Sequence, residues 1–185
     1  WVVPSWLTLD GPGLDFKITL DQRALDFMRR AKPGVAILPM IQNATAGQWD
    51  GAGLAKLLAD RARSDRLLDQ IVRFVAAHKL QGVTVDFENV PAAAHKDLES
   101  FLTRMSAAFA PRGWIIAQAA PFDDDEWPYQ AYAGIVDYTM LMAYDQVDEH
   151  GPAGAIAAQD WYERILDKRM RQLSADSTII AIGSW

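Results

Sequence analysis

The chain alternates between short apolar runs and longer stretches in which apolar residues recur every three or four positions. The runs predict buried strands over residues 1–9, 35–42, 82–88, 114–119, 136–144 and 178–183. The longer stretches predict helices. One covers residues 21–31, with Leu25, Phe27 and Met28 toward the core, and another residues 54–62. A third covers 65–79, capped by Ser64, with Leu68, Ile71, Val72 and Val75 as one stripe. Residues 93–109 (Leu98, Leu102, Met105 and Phe109 on one side), 129–133 and 155–173 complete the set, and Gly11-Pro12-Gly13, Lys32-Pro33-Gly34, Pro111-Arg112-Gly113 and Gly151-Pro152 read as turns or loop starts. Six strands alternating with helices form an α/β pattern with a parallel sheet. Near-continuous apolar runs suit strands covered on both faces.

No glycine-rich phosphate loop follows any of these strands, no Walker sequence occurs, and Gly11-Pro12-Gly13 lacks the spacing of a dinucleotide fingerprint. A nucleotide-binding doubly wound domain is disfavoured. The other parallel closure is a (β/α)8 TIM barrel, whose active sites lie at the C-terminal ends of the strands. The run Gly82-Val83-Thr84-Val85-Asp86-Phe87-Glu88 then stands out. Strand side chains alternate, so Val83, Val85 and Phe87 face one way and Thr84, Asp86 and Glu88 the other. Two neighbouring carboxylates at the end of a buried strand raise at least one pKa. The pair reads either as catalytic or as a strand end turning into solvent.

Composition narrows the classes. The 185 residues are 50% apolar, long enough for one domain with a sizeable core. A net charge of −6 without a basic run argues against nucleic acid and anionic membrane surfaces. The absence of cysteine excludes disulfides and thiolate chemistry without fixing the compartment. His78, His95 and His150 show no metal-ligand spacing, and no metal or cofactor is implied. No apolar run approaches the roughly 20 residues of a membrane span. Seven tryptophans serve either core packing or stacking on a flat ligand such as a sugar ring. A chain that begins at Trp1 reads as a processed form or a piece of a longer one.

Residues 82–88 resemble the Asp-x-x-Asp-x-Asp-x-Glu signature of glycoside hydrolase family 18, the chitinase-like enzymes, and Met142-Ala143-Tyr144-Asp145 resembles the Met-x-Tyr-Asp motif of its sixth strand. Ser64-Asp65-Arg66, Asp86-Phe87-Glu88-Asn89-Val90-Pro91 and Leu38-Pro39-Met40-Ile41-Gln42-Asn43 are most similar to the divergent bacterial branch of spore-cortex and peptidoglycan N-acetylglucosaminidases. The resemblance implies a (β/α)8 barrel represented by about six strands, the second to the seventh, in residues 1–185 of a longer catalytic domain. It implies retaining, substrate-assisted hydrolysis of a β-linked N-acetylglucosamine glycan, with the sugar's own acetamido carbonyl as nucleophile. Glu88 would be general acid and then base, its pKa raised by burial and by Asp86. Asp86 would orient the acetamido group and stabilise the oxazolinium-like intermediate, and Tyr144 would hydrogen-bond its carbonyl. Asp145 would bind a sugar hydroxyl or polarise the acetamido group, and Met142 would line the subsite. An extracytoplasmic location follows from the substrate class alone.

This sequence departs from the signature at Gln81 and Thr84, where the pattern has Asp. Thr84 can donate one hydrogen bond to Asp86, or simply fill a strand position. Trp6 could stack on a sugar or plug the core, and Asn43 could bind a sugar or cap a turn. The run Asp123-Asp124-Asp125-Glu126 reads as a solvated loop near the cleft, with Trp127 beside it as a stacking candidate, whereas Trp49, Trp114 and Trp161 read as structural. Two further readings stand beside the enzyme: a non-catalytic glycan-binding module, and a chitinase-like module fused to other polysaccharide-processing domains. Trp185 follows the last strand too closely to serve as the family's eighth-strand tryptophan.

Overall fold

The predicted apolar runs become strands and the periodic stretches between them become helices. The structure is a computed structural model and describes residues 1–45, 47–147 and 153–183. His150, the Gly151-Pro152 turn and Trp185 lie outside the described residues. The elements in order are β1 (Ser5–Asp10), β2 (Asp15–Ile18), α1 (Gln22–Ala31), β3 (Met40–Gln42), β4 (Ala44–Thr45), β5 (Gln48–Trp49), α2 (Gly51–Ala59), α3 (Arg61–Ala77), β6 (Gly82–Asp86), α4 (His95–Phe109), β7 (Ile115–Pro121), α5 (Tyr129–Ala133), β8 (Tyr138–Met142), α6 (Gln159–Met170) and β9 (Thr178–Ala181). The α/β class is as expected. The chain divides into two compact units, Trp1–Ala117 and Gln118–Trp185, and the division falls within β7.

In the first unit the strand order is β2-β1-β3-β6. β1 runs parallel to β3 and β3 parallel to β6, while β2 folds back antiparallel on β1. The β3–β6 register pairs Met40 with Thr84, Ile41 with Val85 and Gln42 with Asp86. Every residue of β6 is buried, as a strand covered on both faces requires. Leu7, Leu9, Ile41, Val83 and Val85 from the strands, with Ile37 and Leu38 just before β3, contribute to the core. Helices α2, α3 and α4 pack on one another and bury Leu54, Ile71, Val75, Leu98, Phe101 and Met105.

Two residues fix where β6 begins. Gln81 accepts a hydrogen bond from the Ile37 N–H at 2.9 Å and donates its own N–H to the Ile37 carbonyl at 3.3 Å, tying the strand entry to the segment before β3. Gly82 has φ +151°, and a Cβ there would collide with the Ile115 carbonyl that opens β7. Only glycine meets both conditions.

In the second unit β8 and β9 pair in parallel, Thr139 opposite Thr178 through Met142 opposite Ala181. The anchor is Arg169 of α6, fully buried. Its guanidinium donates to the carbonyls of Phe122 (2.8 Å) and Asp124 (3.2 Å), reaches Asp125 at 3.1 Å, and sits 4.2 Å from the centre of the Tyr129 ring. Burial pushes the Tyr129 phenol up to about 12, although Arg169 pulls the other way, and its hydroxyl donates to the Pro121 carbonyl at 2.7 Å.

The differences from the sequence reading have local causes. β2 was not expected; the alternation Asp15-Phe16-Lys17-Ile18 is only four residues long and mostly exposed. The β4–β5 hairpin interrupts what reads as one loop. Helix α3 starts at Arg61, capped by Asp60, whose carboxylate accepts from the Arg63 N–H at 3.0 Å. Ser64 is therefore inside the helix, buried, donating to the Arg61 carbonyl and accepting from Arg104 at 2.9 Å. Helix α6 is shorter than 155–173 at both ends.

The glycine argument is testable by comparison. Gly34 also has a positive φ, +82°, but open space around its Cβ position. Gly34→Ala should cost about 1 kcal/mol of backbone strain, and Gly82→Ala at least about 2 kcal/mol because strain and collision add. Urea unfolding of both variants measures this; equal losses would contradict the packing role of Gly82.

Candidate active site

β6 delivers Asp86 as its last residue, 4% exposed, at the C-terminal end of a parallel strand. The register places Gln42 beside it, and the Gln42 Nε2–H donates to Asp86 Oδ2 at 2.8 Å. Among the described residues, Asp86 Oδ1 is buried and meets no hydrogen-bond donor. Burial holds the Asp86 carboxyl above the usual carboxylate range, and the Gln42 bond offsets part of that rise by favouring the ionised form. Thr84 does not donate to Asp86. Its hydroxyl donates to the Leu38 carbonyl at 3.3 Å. Same-face positions two apart along a strand are separated by roughly 6–7 Å, beyond the reach of a threonine hydroxyl.

Glu88 follows two residues beyond the strand end, half-buried. Asn43 holds its backbone from both sides: Asn43 Nδ2–H donates to the Glu88 carbonyl at 2.9 Å, and the Glu88 N–H donates to Asn43 Oδ1 at 2.9 Å. Asn43 is fully buried, so it neither faces a sugar nor caps its own turn, as the sequence suggested. Its carbonyl accepts the Asp50 N–H at 2.8 Å, and Asp50 in turn caps α2 through the Gly53 N–H at 2.7 Å. The start of α2 closes against the residue after Glu88: a Cβ on Gly51 would overlap the Asn89 carbonyl. Asn89 takes the left-handed conformation, φ 53°, which asparagine tolerates better than most residues.

The second unit supplies the other expected residues. Met142 ends β8 and is half-buried. Tyr144, also half-buried, donates its N–H to the Met142 carbonyl at 2.8 Å. Asp145 is exposed with φ 60°, a second left-handed residue beside an expected catalytic one.

Other candidates fall elsewhere. Trp6 is 7% exposed, and its carbonyl accepts both the N–H and the hydroxyl of Thr19; it belongs to the core rather than to a stacking surface. Trp127 is likewise 7% exposed, its ring 5.4 Å from that of Tyr132, and is packed rather than presented for stacking. The acidic run is a solvated loop, as expected, with Asp123, Asp125 and Glu126 exposed, but its aspartate carboxylates have partners. Asp123 accepts the Trp161 indole N–H at 2.8 Å, Asp124 accepts the Glu126 N–H, and Asp125 pairs with Lys168 and Arg169, which hold its carboxyl below the usual range.

The first unit thus gathers Asp86 and Glu88 with Gln42 and Asn43, with Thr84 one pleat below Asp86. The second gathers Met142, Tyr144 and Asp145. Gln42 was missed by sequence reasoning. Its signal was the expected parallel pairing of the run ending at Gln42 with the run carrying Asp86, which makes the two C-terminal residues neighbours. Among the described residues no group of three His, Asp or Glu could hold a metal ion, and no helix is long and apolar enough to cross a membrane. A buried carboxyl whose pKa is raised, beside a second acid on a fixed backbone at a strand's C-terminal end, is equipped for proton transfer and charge stabilisation.

Comparison with known proteins agrees with this architecture. YdhD of Bacillus subtilis, named as a sporulation-specific glycosylase, is 25% identical over 163 residues, covering 84% of this chain and 38% of the relative. Its crystal structure superposes with a TM-score of 0.86 at 23% identity, over 96% of this chain and 61% of that one. A chitinase from Chromobacterium violaceum gives 0.85 at 19% identity, over 98% and 60%. The spore cortex-lytic enzyme SleL of Bacillus megaterium gives 0.84 at 17% identity, over 97% and 42%. These likenesses establish the chitinase-type TIM-barrel fold. The chain spans 38% of the length of its curated relative. The model of glycosyl hydrolases family 18 matches residues 14–183. With that match covering most of its length, the chain belongs to glycosyl hydrolases family 18.

Proposed function

We propose that the chain forms the catalytic part of a glycosidase that cleaves β-linked N-acetylglucosamine glycans, chitin-like oligomers or peptidoglycan, by substrate-assisted retention. The observation that carries this reading is the end of β6: Asp86 buried with a raised pKa and one oxygen on Gln42, and Glu88 fixed by two backbone bonds to Asn43.

In this mechanism Glu88 protonates the glycosidic oxygen as the acetamido carbonyl attacks the anomeric carbon from the opposite face. Asp86 receives the acetamido N–H on Oδ1, the oxygen no protein group occupies, and its charge stabilises the oxazolinium-like cation. The Gln42 bond on Oδ2 keeps the carboxylate oriented so that Oδ1 points to the sugar. By resemblance to the family motif, Tyr144 is assigned the acetamido carbonyl, Asp145 a sugar hydroxyl and Met142 the lining of the subsite. Glu88, now a carboxylate, removes a proton from water, which opens the oxazolinium and restores the acid. Thr84 takes no part in proton sharing, because its hydroxyl is engaged at Leu38. Action on a cell-wall glycan implies an extracytoplasmic site of work.

Glu88→Gln should lower turnover of N-acetylglucosamine oligomers or peptidoglycan by at least about 100-fold while binding persists. Product release measured beside the wild-type protein tests it, and turnover near wild type would remove Glu88 from the role of acid.

Asp86→Asn should abolish most turnover yet stabilise the fold at neutral pH. The raised folded pKa means that the folded protein holds a proton the unfolded chain has released, so ionisation of Asp86 weakens the fold as pH rises. The variant carries no such loss. Its thermal midpoint should exceed that of wild type by an amount that is smallest below about pH 4, grows as pH rises above the unfolded value, and levels off once Asp86 is ionised in the folded protein. A difference that does not change with pH would contradict the burial argument.

A further inference from the structure

The outer wall of the first unit carries a groove of about 540 Å³ between α3 and the turn that joins β1 to β2. It shares no residue with the Asp86–Glu88 site. Three arginines of α3, Arg63, Arg66 and Arg73, line one side of it. Spaced three and seven residues apart, they fall on one face of the helix, and the 1.5 Å rise per residue spreads them over about 15 Å.

The charge of these arginines is not neutralised. Among the described residues none of the three makes an ion pair, whereas Arg61 on the same helix pairs with Asp65. The one acid lining the groove, Asp15, pairs with none of them. In a chain of net charge −6 the groove lining, three arginines against Asp15, has a formal charge of the opposite sign. Arg63 is already fixed, donating to the Gly13 carbonyl, and Arg73 donates its Nε–H to the Asp69 carbonyl at 3.2 Å. Arg66 and Arg73 are exposed.

Apart from Gln70, the rest of the lining is apolar. Leu14, held at φ 47°, and the half-buried ring of Phe16 belong to the opposite wall. Guanidinium groups bind carboxylate or phosphate oxygens in pairs, and an aromatic face takes the apolar face of a pyranose. A single small anion would need one arginine; a row of three beside an apolar wall suits a linear ligand with repeated anionic groups and sugar rings between them.

We propose that this groove binds an anionic glycan strand, one bearing carboxylate or phosphate groups on successive sugars, apart from the hydrolytic site. The choice of a glycan rests on the function proposed above; the repeated negative charge rests on the groove alone.

The test is binding of the protein to polygalacturonate, to poly(glycerol phosphate), to a neutral N-acetylglucosamine oligomer and to polyglutamate, each with wild type and with the Arg66→Gln/Arg73→Gln double variant. Both substituted side chains are exposed, and circular dichroism checks that the fold is kept. The expected result is that at least one of the first two polymers binds, at least tenfold more weakly in the double variant, with affinity falling as NaCl rises. Preference between those two polymers identifies carboxylate or phosphate as the recognised group. Turnover of the neutral oligomer, measured alongside, should be the same in both proteins. If turnover is absent from both and the binding difference remains, the hydrolase reading fails and this one stands. Equal binding by the two proteins, polyglutamate bound as tightly as either of the first two polymers, or no binding to any polymer would overturn the proposal.

Discussion

The C-terminal end of β3 holds the C-terminal end of β6, and the chemistry of the first unit depends on that contact. Parallel register sets Gln42 beside Asp86, and the next residue of the chain, Asn43, reaches the backbone of Glu88. Consecutive residues of one segment therefore serve alternate residues of the other. The arrangement is rigid because each partner is itself held. Asn43 is tied through Asp50 to the first turn of α2, Gly51 abuts the carbonyl of Asn89, and Gly82 and Gln81 lock the opposite end of β6. Such support from neighbouring elements is what holds a reactive group to within a fraction of an ångström.

The same contact sets the energetics. A carboxyl as buried as Asp86 disfavours its charged form, and one amide hydrogen bond offsets only part of that cost. The buried Oδ1 without a protein partner is the kind of defect that folded proteins rarely keep without a use. The second unit handles buried charge differently. Arg169 is enclosed completely, yet its donors meet two backbone carbonyls, the Gln172 amide and the Asp125 carboxylate, and its plane lies against Tyr129. There the polar groups are satisfied; at Asp86, among the described residues, one oxygen is left without a partner.

Much of this was legible in the sequence because its strands are buried on both faces. Continuous apolar runs such as residues 35–42 and 82–88 have few alternatives to parallel strands, and the pleat of β6 put Asp86 and Glu88 in view before any coordinates. What was not legible depends on contacts between segments distant in sequence. Asn43 reads as a turn residue until the loop carrying Glu88 lies across it. Thr84 reads as a partner for Asp86 until the Leu38 carbonyl, in the segment leading into β3, proves nearer. The acidic run after β7 is solvated as it reads, but nothing local announces that Asp125 also pairs with the buried Arg169, more than 40 positions later. Trp6 and Trp127 show the same limit from the other side: an indole suits a core and a sugar equally, and only packing decides.

The central claim, that β3 tunes the buried acid at the end of β6, is tested most directly by following the Asp86 carboxyl carbon through a pH titration by NMR, in the wild-type protein and in Gln42→Leu. The account predicts a wild-type midpoint above the ordinary aspartate value of about 3.9, and a further rise when the Gln42 hydrogen bond is removed. An ordinary midpoint in the wild type, or one that does not move in Gln42→Leu, would contradict it.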